Sequence, residues 1–203
     1  MQYAGSDWSK LLSSCFACAQ LYVIVHYVGF KNGNAFTRFI IMAYIERILK
    51  KSIQKRLFKG KVIVLYGARQ VGKTTLVREI IQDYGQDGLY LNCDEIDIRS
   101  SLQEVTSSEI KALIGNRKLV VIDEAQRVQN IGITLKLFAD QFPDTQVIAT
   151  GSSAFELSDS TTEPLTGRKY ELHLYPVALA ELGAAETPRA AQRLVDRSLV
   201  FGM

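Results

Sequence analysis

The 203-residue chain carries 24 lysines and arginines against 21 acidic residues, and 47% of it is hydrophobic. That length holds one good core, or one domain with part of another, and a net charge of +3 with basic residues spread along the chain neither requires nor excludes nucleic acid. Three cysteines exclude a disulfide scaffold; Cys15 and Cys18 form a C-x-x-C without the further cysteine or histidine pair of a zinc site, so a reducing cytoplasm is the expected location.

Residues 1–41 read as an apolar extension. From Leu11 to Phe30 there is no formal charge, a length sufficient in principle for a membrane-crossing helix, although Ser13, Ser14, Gln20 and His26 weaken that reading. A membrane anchor, a buried extra helix, and residues that precede the true start of the domain all remain open. The last is favoured, because Met42 leads into an amphipathic helix with Ile45, Ile48, Leu49, Ile53 and Leu57 on one side. No small-residue cleavage site of a signal peptide clearly follows the apolar run. The basic cluster Lys50, Lys51, Lys55, Arg56, Lys59 and Lys61 reads as a solvated helix face.

Strands and helices then alternate. Lys61 to Tyr66 is an apolar strand, and behind it Gly67, Ala68, Arg69, Gln70, Val71, Gly72, Lys73, Thr74 and Thr75 fall in the G-x-x-x-x-G-K-[ST] spacing of a phosphate-binding loop. Two glycines let backbone wrap closely around phosphate, the amides and the following helix N-terminus attract anions, Lys73 adds charge near the β and γ phosphates, and Thr74 offers a hydroxyl to Mg²⁺. A helix is expected over Lys73 to Tyr84, a strand over Leu89 to Asn92, and a helix over Leu102 to Ile114 closed by Gly115. Leu119 to Asp123 is the third strand, Ile131 to Phe142 a helix, Gln146 to Thr150 the fourth strand and Lys169 to Leu174 the fifth. Short apolar runs between helices imply an α/β fold: a three-layer αβα P-loop core with a mainly parallel five-stranded sheet. Ser152 to Thr162, rich in serine, threonine and acidic residues, is the expected mobile loop.

Three further constellations carry chemistry. The third strand ends in Asp123 and Glu124. An acidic pair alone is a common polar strand end, but about fifty residues after a phosphate loop it reads as an aspartate for Mg²⁺ and a glutamate that polarises the attacking water. The fourth strand runs into Ala149-Thr150-Gly151-Ser152-Ser153, where Ser152, ahead of Thr150 or Ser153, is the candidate sensor of the γ-phosphate; an ordinary serine-rich turn is the alternative. Before the fifth strand, Arg168 is either an arginine finger, supplied in cis or to a neighbouring subunit, or a surface arginine in a salt bridge.

These strings, with the run from Leu174 to Glu181, resemble the prokaryotic AAA-type ATPases whose core is followed by a C-terminal domain of unknown function, over about residues 42–203. The resemblance implies an ATPase core over 42–176, with ATP and Mg²⁺ as cofactors and the roles above. Residues 177–203 would begin a helical lid or a connection to a further domain, and the chain reads as the N-terminal part of a longer protein. No Asn/Thr-Lys-x-Asp string of a GTPase occurs, a helicase needs two sheet domains, and Glu124 beside Asp123 suits hydrolysis better than a small-molecule kinase. Two readings stay open: an ATPase remodelling a protein or nucleic acid, with homo-oligomers as one arrangement, and a slowly hydrolysing switch signalling through a C-terminal domain.

Overall fold

The computed structural model describes the backbone of residues 21–31 and 34–43, and residues 45–152, 165–178 and 180–181. The chain divides into two compact units, one of which is Arg47–Ala178. The other contains an antiparallel hairpin of β1 (Leu21–Lys31) and β2 (Asn34–Ala43), with Leu21 opposite Ala43 and Lys31 opposite Asn34. Leu21–Phe30, the described half of the charge-free run, is therefore strand and not helix. Its Tyr, Val and Ile residues pack well on a pleated surface. Met42, expected to lead into a helix, sits inside β2 opposite Tyr22. Among the described residues, no helix is long and apolar enough to cross a membrane.

Within Arg47–Ala178 the elements are α1 (Ile48–Gln54), β3 (Val62–Tyr66), α2 (Lys73–Gln82), β4 (Gly88–Asn92), α3 (Ile96–Leu102), α4 (Ser107–Ile114), β5 (Leu119–Asp123), α5 (Ile131–Gln141), β6 (Gln146–Gly151) and β7 (Lys169–His173). The five strands form one parallel sheet in the order β4-β5-β6-β3-β7. The central strands β3, β5 and β6 are buried at every position, which explains their unbroken apolar runs.

Alternate side chains of each strand feed two cores. Val62, Val64 and Tyr66 pack with Leu102 of α3, Ile110 and Ile114 of α4, and Ile131, Leu135 and Phe138 of α5. Ile63 and Leu65 pack on the other face with Ile53 of α1 and Leu76, Val77 and Ile80 of α2. This is the expected three-layer αβα sandwich. Each fully buried Leu or Ile contributes about 1.5–3 kcal/mol of burial.

Two expected helices change. The first is only seven residues long, so it cannot carry a stripe from Ile45 to Leu57: Ile53 is buried, Leu49 and Leu57 are half-buried, and Ile48 is exposed. Of the basic cluster, Lys51, Lys55 and Lys59 are exposed as expected, while Lys50 of α1 pairs with Glu79 at 2.5 Å and Lys61, beyond the helix, lies 5.3 Å from the Tyr170 ring centre. The helix expected over Leu102–Ile114 is two helices. Leu102 ends α3, Glu104 takes a left-handed φ of 52°, and Thr106 opens α4 with a reciprocal capping box to Glu109.

Candidate functional site

In the strand order, β6 lies between β3 and β5. The loop leaving β3 and the acidic pair leaving β5 both start from the carboxyl end of the sheet, one strand apart, where a crevice opens. Gly67 is forced by close approach: a Cβ there would lie 2.6 Å from the Leu174 carbonyl oxygen. Gln70 and Gly72 adopt left-handed φ values of 64° and 95°, the second as the N-cap of α2. Lys73 is buried and folds back across the loop, its Nζ donating to the Gly67 and Ala68 carbonyls, both at 2.9 Å.

Thr74 Oγ1 donates to Asp123 Oδ2 at 2.8 Å, so the loop and the β5 carboxylate are in direct contact. Asp123 is only 2% exposed and receives two more hydroxyls: Tyr90 of β4 on Oδ2 at 2.5 Å and Thr150 of β6 on Oδ1. Burial, and then the bond to Asp123, push the Tyr90 phenol up to about 12, so it stays protonated as a donor. Glu124 follows in a left-handed conformation, φ 55° and ψ 40°. Its N–H donates to Thr150 Oγ1 at 3.0 Å, and its carboxylate accepts from the Gln126 side-chain amide.

Arg69, Gln70, Gly72, Lys73, Thr74, Thr75, Asp94, Glu124 and Arg127 line an open cleft of about 480 Å³. Arg127 and Asp94 pair at 2.8 Å on its border. The cleft therefore brings together the loop, Lys73, Thr74 and Glu124, with Asp123 directly beneath Thr74.

The remaining expected residues fall elsewhere or next to it. Ser152 follows β6 directly and is half-buried, but the β6 hydroxyl that meets the acidic pair is that of the fully buried Thr150. Ser153 lies outside the described residues, as do residues 154–162 of the expected mobile loop. Arg168 stands at the amino end of the sheet: its carbonyl accepts from Val62 N at the start of β3, and its Nε pairs with Asp140 at 2.6 Å. It does not join the cleft of its own copy, because the length of β3 separates them. Cys93 is fully buried, and burial with the Asp123 charge pushes its thiol up to about 12. Cys15 and Cys18 lie outside the described residues.

Tyr90 and Arg47 were not singled out as site residues. Arg47 places one guanidinium nitrogen on the Val71 carbonyl at 2.7 Å. Both contacts join residues far apart in sequence, and no local spacing signals them.

A glycine-turned loop before a helix, a buried aspartate one strand over and a neighbouring glutamate define a P-loop nucleotide-binding ATPase fold. A profile of the AAA domain matches residues 59–183, so the chain belongs to the AAA domain family. It is 30% identical over 138 residues to an uncharacterized protein of Methanocaldococcus jannaschii, covering 66% of this chain and 31% of that one. It is 30% identical over 94 residues to the replication factor C large subunit of Methanococcus vannielii, covering 45% of this chain and 18% of that subunit. The Pif1 helicase of Candida albicans superposes with a TM-score of 0.46 at 16% identity, over 75% of this chain and 43% of the helicase. The chain thus spans about a third or less of the length of these two sequence relatives.

Proposed function

We propose that this chain binds ATP with Mg²⁺ in the cleft and hydrolyses it. The observation that carries the reading is the 2.8 Å contact of Thr74 with Asp123: a hydroxyl and a carboxylate, both hard oxygen donors, converge beside the phosphate loop. A magnesium ion held there by Thr74 and Asp123 would neutralise charge on the phosphates. The backbone from Gly67 to Thr75 cradles the phosphates, and Lys73 exchanges its two loop carbonyls for phosphate oxygens. Thr74 and Asp123 hold the ion, and Glu124 orients and deprotonates the attacking water. Ser152 stands by as the γ-phosphate contact, and Arg168 serves the cleft of a neighbouring copy.

The task driven by this hydrolysis is remodelling of a protein or nucleic acid. The relative named as a replication factor C large subunit favours a task in replication, and a homo-oligomer would let Arg168 complete the cleft of a neighbouring copy. A second reading, a slow nucleotide-controlled switch, is favoured by one contact: the Gln126 amide holds one oxygen of the Glu124 carboxylate and makes it a weaker base. Steady-state turnover separates the two. Glu124→Gln should keep ATP binding and lose turnover, whereas Lys73→Ala should abolish binding. Equal turnover in wild type and Glu124→Gln would refute the catalytic assignment, and unchanged ATP affinity in Lys73→Ala would remove the phosphate site.

A further inference from the structure

Arg47 is the residue before α1, yet its side chain makes no capping bond to that helix. It is 8% exposed and reaches two backbone oxygens remote in sequence: Nη1 donates to Val71 O at 2.7 Å, and Nη2 donates to Tyr175 O at 2.5 Å. Val71 belongs to the phosphate loop, and Tyr175 to the chain leaving β7. A Cβ on Gly72 would lie 3.5 Å from Nη1, so the guanidinium packs directly against the loop.

The peptide geometry gives this contact a consequence. In a trans peptide the carbonyl and the following N–H point in opposite directions. Holding the Val71 oxygen on Arg47 therefore turns the Gly72 N–H away from Arg47, free for an anion in the cleft that Gly72 lines. Were that peptide to flip, a carbonyl oxygen would face the phosphate in place of a donor. The two fork nitrogens suit this task, because a planar guanidinium holds two acceptors in a fixed relation and an ammonium does not.

The chain leaving β7 is tied to the loop at its other end as well. Leu174 N donates to Tyr66 O at 2.7 Å, and the Leu174 carbonyl leaves Gly67 no room for a side chain. We propose that Arg47 is a positioning residue that presets the phosphate loop for its anion and links it to Tyr175, so that occupancy of the loop is transmitted to the backbone leaving β7. This rests on the ATP reading above and deepens it.

The test pairs titration of a fluorescent ATP analogue with hydrogen exchange, on the whole chain, for wild type, Arg47→Ala and Arg47→Lys. In wild type, MgATP should slow exchange across residues 67–75 and also across 174–178. Loss of a charge-assisted bond to the loop lowers affinity by about tenfold or more in Arg47→Ala. In that variant, protection should stop at the loop, and millimolar guanidinium ions should restore part of both effects. Arg47→Lys keeps the charge but cannot bridge both carbonyls, so it should bind with intermediate affinity and still lose the response at 174–178. It carries the comparison alone should Arg47→Ala fail to fold. Affinity within twofold of wild type in both variants, or an unchanged response at 174–178, overturns the proposal while leaving the ATP site intact. A wild-type chain that binds no ATP overturns both.

Discussion

Thr150→Val isolates the part of the site that joins chemistry to the sheet. The side chain is fully buried; its hydroxyl donates to Asp123 Oδ1 and accepts from Glu124 N at 3.0 Å. Valine keeps the shape and the β preference and removes both bonds. A hydrogen bond to a carboxylate is worth about 1.5–3 kcal/mol, and a buried N–H left without its acceptor costs about 1–3 kcal/mol. The expected loss is then about 2.5–6 kcal/mol, a large share of the roughly 5–15 kcal/mol available to a domain. The effect on turnover follows from geometry. Glu124 is a non-glycine residue with φ of 55°, and its N–H bond to Thr150 is one of the contacts that hold it there. Release of that bond misplaces the carboxylate by an amount that costs about a hundredfold when it reaches 1 Å. Urea denaturation measures the first effect, and ATP turnover with a separate nucleotide titration the second. Affinity for ATP without Mg²⁺ should change by less than about threefold, since Lys73 and the loop amides do not touch Thr150. A valine variant with wild-type stability and wild-type kcat would show that this buried hydroxyl neither supports the fold nor orients Glu124.

Three other outcomes are expected. Arg168→Ala should lower turnover by about a thousandfold if the arginine completes a neighbouring cleft. Mixing it with Lys73→Ala should then restore activity, because each protein supplies what the other lacks; a mixture as inactive as its components removes the role in trans. Thr106→Ala should cost about 1 kcal/mol at neutral pH by opening the capping box of α4. The bonds from Thr106 hold the Glu109 carboxyl below its usual 4.5. Its contribution is therefore present above that value and lost as pH falls through the lower folded value, so the Thr106→Ala penalty in urea melts should shrink at pH 3. Gly67→Ala should abolish nucleotide binding or shift β7, since the new methyl carbon would sit 2.6 Å from the Leu174 oxygen; a variant that binds ATP normally would contradict that packing.

What could be read from the residues alone divides along sequence distance. The phosphate loop depends on residues within one turn of chain, and its glycines, lysine and threonine keep the spacing that the fold of the loop imposes. The acidic pair is legible at a strand end about fifty residues after that loop, because a strand's last residues face the crevice. Two misread elements carried local signals that were outweighed. Thr106-Ser-Ser-Glu109 is a capping box inside an apparent helix, and Asn32-Gly33, just past the charge-free run from Leu11 to Phe30, is a dipeptide that signals a hairpin in sequence. Charge-free length admits a helix for that run; residue type favours a strand, and residue type prevails for Leu21–Phe30.

Arg47, Tyr90 and Thr150 differ in kind. Each acts through a partner 24 or more residues away, and for Tyr90 and Thr150 the partner is decided by strand order. The contact of Thr150 follows from the sheet order: β6 is inserted between β3 and β5, so its buried hydroxyl lies against Asp123 and Glu124 at the end of β5. The same insertion opens the gap in which Thr74 and Asp123 meet. A chain with the same motifs but β5 beside β3 would have no strand between the loop and the acidic pair, and no Thr150 to hold Glu124. The catalytic reading of Glu124 therefore depends on a non-local fact, the place of β6 in the sheet, as much as on the acidic pair itself.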